Sequence, residues 1–155
     1  MSTTSPLPPE SVAEAVSGFE DFLRRRGLKV TRTRLWIAER ALQRPGHYSA
    51  VDLWRALCDH RISMTTIYRT LGLLEQAGLV RRCVLAGASG AVYESYLGKP
   101  RHHGHLVCRN CGRVIEFAST GFEDDLRGIA GSHGFRLEEI VIQGVGLCRE
   151  CRAGG

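Results

Sequence analysis

Apolar side chains in the first half of the chain recur every three to four residues, which is the spacing of one face of an α-helix. One such stripe runs from Phe19 to Leu23, and a second runs from Leu35 to Leu42. The Arg44-Pro45-Gly46 segment then interrupts the pattern, because proline and glycine are poor helix formers. The pattern therefore predicts two short helices before residue 47.

Two further helices begin at side chains that can cap them. Ser49 and Asp52 have the spacing of a capping box, in which each side chain accepts a hydrogen bond from the other residue's backbone N–H. Ser63 can cap a fourth helix over Ser63–Ala77, and Gly78 is suited to end it. The apolar stripe of the third helix, which we expect to be buried, consists of Ala50, Leu53, Trp54, Leu57 and Cys58.

Two β-type segments follow the helices. The segments "LVRRCVLAG" and "GAVYESY" flank a glycine-rich turn, which predicts a β-hairpin. Helices followed by a hairpin are typical of a winged helix-turn-helix, whose last helix enters the major groove of DNA. The outward face of that helix carries Thr65, Thr66, Tyr68 and Arg69. These side chains can contact bases or phosphates, although an ordinary surface helix could carry them too.

Charge is distributed unevenly along the chain. The formal net charge is +5 at pH 7, and the whole excess lies in residues 1–100, whereas residues 101–155 are balanced. A basic part joined to a neutral part predicts a nucleic-acid-binding part and a second part with another role. Arginine runs such as Arg24–Arg26 are also common on solvated surfaces, so charge alone leaves both interpretations open.

The remaining composition indicates a cytoplasmic protein that does not enter a membrane. Apolar residues make up 43% of the chain, but no apolar run reaches the ~18 residues that a membrane span needs. The segment "MSTTSPLPPE" lacks the basic and apolar regions of a secretory signal, and we expect a disordered lead over residues 1–16. Cytoplasmic thiols stay reduced, which favours metal binding over disulfides for paired cysteines.

Four cysteines form two C-x2-C pairs, Cys108 with Cys111 and Cys148 with Cys151. Two such pairs complete the tetrahedral four-sulfur site that zinc prefers, and a site closed by four protein ligands is structural. A thioredoxin-like redox pair is the alternative, but the βαβ context of such pairs is missing. Cys83, in the predicted hairpin, is either a further ligand or a packed side chain.

Three histidines precede the first cysteine pair in "HHGHLVCRNCG". His103 and His105 alternate, so in a strand they point to the same face. Glu116 in the strand-like "RVIEF" could add a carboxylate, and His47 and Glu94 of the basic part could complete the site. A metal bound by both parts would fix their orientation and so switch DNA binding. These nitrogen and oxygen ligands suit Fe(II), Mn(II) or Zn(II).

The segments that contain these residues resemble the ferric uptake regulator family of bacterial metal-sensing repressors. They are "GLKVTRTR", "HYSAVDLW", "TTIYRTLGLLEQAGLVRR", "YES", "HHGHLVCRNCGRVIEF", "HGF" and "GLCREC". The resemblance covers about residues 17–151, and its most specific feature is the histidine-rich run beside a C-x2-C pair.

The resemblance implies an α+β protein with two domains. A winged-helix DNA-binding domain would occupy residues 17–96, a hinge residues 97–101, and an α/β metal-binding dimerisation domain residues 102–155. The protein would be a homodimer that represses transcription by binding an AT-rich inverted-repeat operator in double-stranded DNA.

The resemblance also assigns roles to residues. Lys29, Arg32, Tyr68 and Arg69 would contact DNA, and the four paired cysteines would hold structural zinc. The regulatory metal would be bound by His47, Glu94, His103, His105 and Glu116.

The chain departs from the family pattern at a further metal site of the dimerisation domain. Many members have an aspartate where this chain has Gly104, and a histidine where it has Ile140. His102 and Glu123 remain, and because two ligands make an incomplete site we expect it to be weak or absent.

The residues at the regulatory site bear on the choice of metal. Peroxide-sensing members tend to have aspartate where this chain has Glu94 and Glu116, and zinc-sensing members often have a cysteine with which Cys83 does not align. We therefore expect an Fe(II)-dependent repressor, with Zn(II) or Mn(II) as the next candidates. Zinc-sensing and peroxide-sensing regulators are the alternatives within the family.

Two other classes of protein fit less of the chain. A metalloenzyme needs an open metal position and a general base, and the H-x-E and H-E-x-x-H motifs are absent from the sequence. A metal-storage or thiol-redox protein would leave the basic part without a role. We therefore expect no catalysis and no small organic substrate.

Overall fold

The structure is a computed structural model that describes residues 11–83, 90–97, 103–118, 121–138 and 140–153. The chain divides into two compact units, residues 1–100 and residues 101–155. The first unit contains helices α1 (Val12–Arg25), α2 (Arg32–Gln43), α3 (Ala50–Ala56) and α4 (Met64–Gln76), a 3₁₀ helix (Cys58–His60), and strands β1 (Tyr48–Ser49), β2 (Val80–Cys83) and β3 (Val92–Ser95).

Each α-helix of the first unit begins at a serine or threonine whose side chain accepts a backbone N–H. Ser11 caps α1, Thr31 caps α2 and Ser63 caps α4. Ser49 caps α3 and forms the predicted capping box with Asp52. Such caps satisfy N–H groups that have no partner within the helix, so the starts of these helices are encoded locally.

The structure corrects the predicted lead of residues 1–16. Because Ser11 caps α1, the helix begins at Val12, and residues 12–16 are helical. Ala15 is buried in the core with Phe19 and Leu23, and Val12 and Val16 pack against that core. The rest of the predicted lead, residues 1–10, lies outside the described residues.

The predicted burial of the third helix is only partly correct. Ala50, Leu53 and Leu57 are buried, but Cys58 is exposed and 39% of Trp54 is exposed. Cys58 lies beyond the end of α3 in the 3₁₀ helix, so the helical period does not extend to it. Trp54 stays at the surface because its indole N–H donates to the carbonyl of Ile62 at 2.9 Å.

The three strands of the first unit form one antiparallel sheet in the order β1-β3-β2. Pairing of β2 with β3 confirms the predicted hairpin, whose turn at residues 84–89 lies outside the described residues. The short strand β1, which the sequence pattern did not indicate, pairs Tyr48 with Tyr93. This pairing places the residue before β1, His47, beside the middle of the sheet.

The second unit is a small mixed sheet with two helices. Its elements are β4 (His103–Cys108), β5 (Val114–Ala118), α5 (Phe122–Ser132), β6 (Gln143–Gly146) and α6 (Arg149–Ala153). Strand β4 lies in the centre, antiparallel to β5 and parallel to β6. Each unit combines helices with a three-stranded sheet, which confirms the α+β class. No helix among the described residues is long and apolar enough to cross a bilayer.

Candidate metal centres and nucleic-acid interface

The four paired cysteines lie together in the second unit. Their four sulfur atoms all lie within 4.8 Å of one another, and they belong to Cys108, Cys111, Cys148 and Cys151. The sulfurs of Cys111 and Cys148 are 3.7 Å apart. A tetrahedral zinc site with Zn–S bonds of ~2.3 Å has sulfur–sulfur edges of ~3.8 Å. The cluster therefore has the donor type and the size that a four-thiolate zinc site requires.

The backbone around Cys108 explains how the two pairs come together. Gly112 adopts φ +73°, a conformation that favours glycine, and its N–H donates to the carbonyl of Cys108 at 2.9 Å. The N–H of Cys148 donates to the Cys108 sulfur at 3.3 Å. Arg113 and Glu150 form a two-point ion pair at 2.8 and 2.9 Å, which connects the turn after β4 with α6.

These hydrogen bonds also affect thiol ionisation. The backbone N–H of Cys148, followed by that of Cys111, lowers the pKa of the Cys108 thiol to about 6. Donation to a sulfur stabilises its charged form, so these N–H groups favour a thiolate at Cys108, and thiolate is the form that binds zinc. The contact with Asn110 lowers the pKa of Cys151, but hydrogen bonds with the other three cysteines raise it to about 12, so the four thiols do not ionise equally.

The first unit contains a buried histidine–glutamate pair. His47 Nε2 lies 2.9 Å from Glu94 Oε2, and the Glu94 side chain is fully buried. Burial lowers the pKa of His47, but interactions with Cys83 and Glu94 outweigh it and raise the pKa to about 9. Cys83 is thus a buried neighbour of His47, and not a remote packed side chain.

Arg81 belongs to the same cluster, although no local sequence pattern indicates it. Its Nη2 lies 2.6 Å from Glu94 Oε1, and only 12% of its side chain is exposed. Arg81 and Glu94 are partners in the β2–β3 register. The pairing of two strands decides this contact, and the hairpin register could have indicated it only if the turn length had been known.

The second unit also contains a histidine and a glutamate that can act as metal ligands. His105 on β4 is directly opposite Glu116 on β5 in the antiparallel register. His105 is buried and Glu116 is exposed. His103 begins β4, two residues before His105, so the two histidines belong to one strand.

Of the weak further metal site predicted at His102 and Glu123, His102 lies outside the described residues, and Glu123 on α5 lies 3.5 Å from Arg127. Gly104 is covered by the Phe117 ring, so that a Cβ at Gly104 would be 2.1 Å from the ring tip. A side chain at residue 104 would therefore have to displace this ring.

The predicted recognition helix α4 exposes most of the predicted contact residues. Thr65, Tyr68 and Arg69 are exposed, whereas Thr66 is half-buried and lies 2.9 Å, oxygen to oxygen, from Ser63. The opposite face of α4 is buried in the core through Ile67, Thr70, Leu71 and Leu74. A helix anchored in this way keeps its outer face free for a partner.

Lys29 and Arg32 are exposed near the start of α2. The guanidinium of Arg34 donates to the Lys29 carbonyl, and that of Arg32 lies 5.9 Å from the centre of the Trp36 ring. These contacts fix the backbone while the Lys29 ammonium remains at the surface. The residues expected to contact DNA thus lie on two exposed segments of the first unit.

Comparison with known proteins identifies the relatives of this chain. It is 42% identical over 136 residues to the ferric uptake regulation protein of Escherichia coli K12, covering 84% of this chain and 89% of that protein. The crystal structure of the Vibrio cholerae ferric uptake regulator has a TM-score of 0.63 and 38% identity, covering 83% of this chain and 98% of that one. A zinc uptake regulator complexed with zinc and DNA has the same TM-score and 27% identity, covering 94% and 98%. The sequence model of the ferric uptake regulator family matches residues 25–144, and the chain belongs to that family.

Proposed function

We propose that this regulator binds an operator as a homodimer when a divalent metal occupies a site that holds both units in one orientation. Its ligands would be His47 and Glu94 from the first unit and His103, His105 and Glu116 from the second. The observation that carries this proposal is the presence of a histidine beside a glutamate in each unit, His47 with Glu94 and His105 with Glu116. Members of the family are transcriptional regulators, so the metalloenzyme and thiol-redox interpretations are set aside.

Fe(II) is our first choice for the regulatory metal. Imidazole and carboxylate donors suit Fe(II), Mn(II) and Zn(II), and ligand type alone does not choose among them. Regulation by zinc or by peroxide is the alternative within the family. Because the chain is related to a zinc uptake regulator, Zn(II) is the second candidate for the regulatory metal.

The four-cysteine cluster would hold a structural zinc ion in addition. The zinc would connect the β4–β5 turn with α6, and its four positions would all be filled by protein sulfurs. Structural zinc is coupled to folding, so this site would be filled before the regulatory one responds.

The exposed apolar side chains of the second unit support a dimer. Large apolar side chains exposed in such number are typical of an interface between subunits. The exposed large apolar residues of this unit include Leu106, Ile115, Phe122, Ile129, Phe135, Val141, Val145 and Leu147. Two subunits related by a two-fold axis would place two α4 helices on an AT-rich inverted repeat. Binding to DNA would locate the protein in the cytoplasm.

DNA-binding anisotropy at fixed salt tests the proposal. Fe(II), Mn(II) and Zn(II) are titrated anaerobically into protein that already holds structural zinc, with a labelled inverted-repeat duplex. Metal should tighten binding by the wild type and leave a His103→Ala/His105→Ala variant unchanged. His133→Ala, which removes an exposed histidine on another segment, is the matched control.

Two results would count against the proposal. DNA binding that is equally strong without added metal would remove the regulatory role of the second site. A full response in the double histidine variant would assign the response to other ligands. When the wild type alone responds, the metal that acts at the lowest free concentration is the candidate for the physiological effector.

A further inference from the structure

Glu94 is the centre of a group of buried charged and protonatable side chains in the first unit. Its side chain has no exposed surface, and each of its two oxygens faces a cationic or protonatable group. Oε1 accepts from Arg81 at 2.6 Å, and Oε2 lies 2.9 Å from His47. The sheet creates this arrangement, because Arg81 is the register partner of Glu94 on one side and His47 precedes β1 on the other.

A buried carboxylate must be compensated by a partner charge, since leaving water is costly for an isolated ion. The Arg81 guanidinium is suited to this task because it cannot be deprotonated in a protein. Glu94 therefore has a permanent counter-ion supplied by the chain itself. Its negative charge is balanced in the absence of any metal.

The same guanidinium opposes a metal at Glu94. A divalent cation on Oε2 would lie within a few ångströms of the Arg81 charge, and like charges at such a distance repel strongly away from water. Oε1 is already engaged by Arg81, so the carboxylate can offer the metal only one oxygen unless this ion pair breaks. Both effects weaken metal binding.

We propose that Arg81 is an internal counter-ion that competes with the regulatory metal for Glu94, and thereby raises the metal concentration at which the protein responds. The inference rests on the proposed function in one respect, namely that Glu94 is a metal ligand. Arg81 is not a metal ligand in this proposal, but it helps to determine the metal concentration at which the protein responds. When no metal is bound, the ion pair with Arg81 compensates the charge of the buried Glu94 carboxylate.

Arg82 provides a matched control for Arg81. It is the next residue of β2, carries the same charge and points to the opposite face of the sheet. Arg82 is exposed, whereas Arg81 is nearly buried. Arg82→Gln therefore removes the same formal charge from the same strand without removing a partner of Glu94.

The test measures Mn(II) binding to protein whose four-cysteine site already holds zinc. Free Mn(II) is followed by electron paramagnetic resonance in the wild type, Arg81→Gln, Arg81→Lys and Arg82→Gln. We expect Arg81→Gln to lower the Kd for Mn(II) on the order of tenfold, because a unit charge near the metal is removed. Arg81→Lys, which keeps the charge, should remain near the wild type, and Arg82→Gln should change the Kd by less than about twofold, since exposed charges are screened.

The outcomes separate this inference from the proposed function. An unchanged or higher Kd in Arg81→Gln, with normal binding by the wild type, would overturn the counter-ion role and leave Glu94 as a ligand. Absence of Mn(II) binding by the wild type would overturn the proposed function and this inference with it. If Arg81→Gln unfolds without metal, its melting temperature as a function of Mn(II) concentration gives the same Kd by linkage.

Discussion

Gly104 lies between His103 and His105, and the structure explains why a glycine suits this position. The Phe117 ring lies directly over it, opposite in the β4–β5 register. We expect Gly104→Ala to destabilise the fold by about 1–2 kcal/mol, since the ring must move away from the new methyl group. Urea unfolding of zinc-loaded protein measures this cost.

A double-mutant cycle tests whether the ring is the cause. In a Phe117→Leu background, where the ring tip is absent, Gly104→Ala should cost less than about half of its original value. An equal cost in both backgrounds would show that the loss comes from the strand backbone and not from contact with Phe117.

The elements differ in how far the sequence could predict them. Helix caps depend on residues three apart, so Ser49 and Ser63 indicated their surroundings correctly, whereas the meeting of the two C-x2-C pairs across 37 positions followed from the four ligands that zinc requires. Strand β1 contains two residues, and pairing with β3 alone defines it. Arg81 was missed for the same reason, since its contact with Glu94 depends on strand register across 13 positions. Local sequence patterns predict contacts between residues that are close in sequence. Contacts between strands depend on the register of pairing, which these patterns do not specify.

The capping box at the start of α3 gives a pH-dependent prediction. Hydrogen bonds from the Ser49 side chain and backbone lower the pKa of Asp52 below its usual range. A carboxyl whose pKa is lower in the folded state adds stability above its unfolded pKa and loses it as the pH falls. Asp52→Ala should therefore cost about 1 kcal/mol at pH 7.

The difference between the wild type and Asp52→Ala should shrink below about pH 4, where aspartate in an unfolded chain becomes protonated. Thermal unfolding across this range measures the change. Asp59→Ala, at an exposed position outside the cap, serves as the control. A difference that stayed constant down to pH 3 would show that the carboxylate charge has no part in the cap.

The four-cysteine cluster connects separate elements, so it gives a prediction for zinc removal. Cys148→Ser should lose the structural zinc and destabilise the second unit by several kcal/mol, because structural zinc contributes folding free energy directly (roughly 10 kcal/mol or more in small zinc domains). Cys58→Ser, which alters an exposed thiol in the first unit, should keep the zinc. Metal content by mass spectrometry and circular dichroism check both. A zinc-free Cys148→Ser protein that melted like the wild type would make the cluster dispensable.

At the scale of the whole molecule, the proposed roles belong to different units. The first unit contains α4, Lys29 and Arg32, and the second contains the four-cysteine cluster and most of the large exposed apolar side chains. A regulatory metal that drew ligands from both units would bind best to one arrangement of them. DNA would then act on the same equilibrium, because the two α4 helices of a dimer fit an inverted repeat in one arrangement.

This linkage has a consequence that can be measured from either side. If metal tightens operator binding by a given factor, operator DNA must tighten metal binding by the same factor, typically about 5–150-fold. The Kd for Mn(II) should therefore fall when a saturating inverted-repeat duplex is present, and it should fall much less with a scrambled duplex of equal length and charge. His103→Ala/His105→Ala should show neither effect. A Kd for Mn(II) that the operator duplex leaves unchanged would mean that metal occupancy and operator binding are not coupled, and the proposed switch would then be wrong.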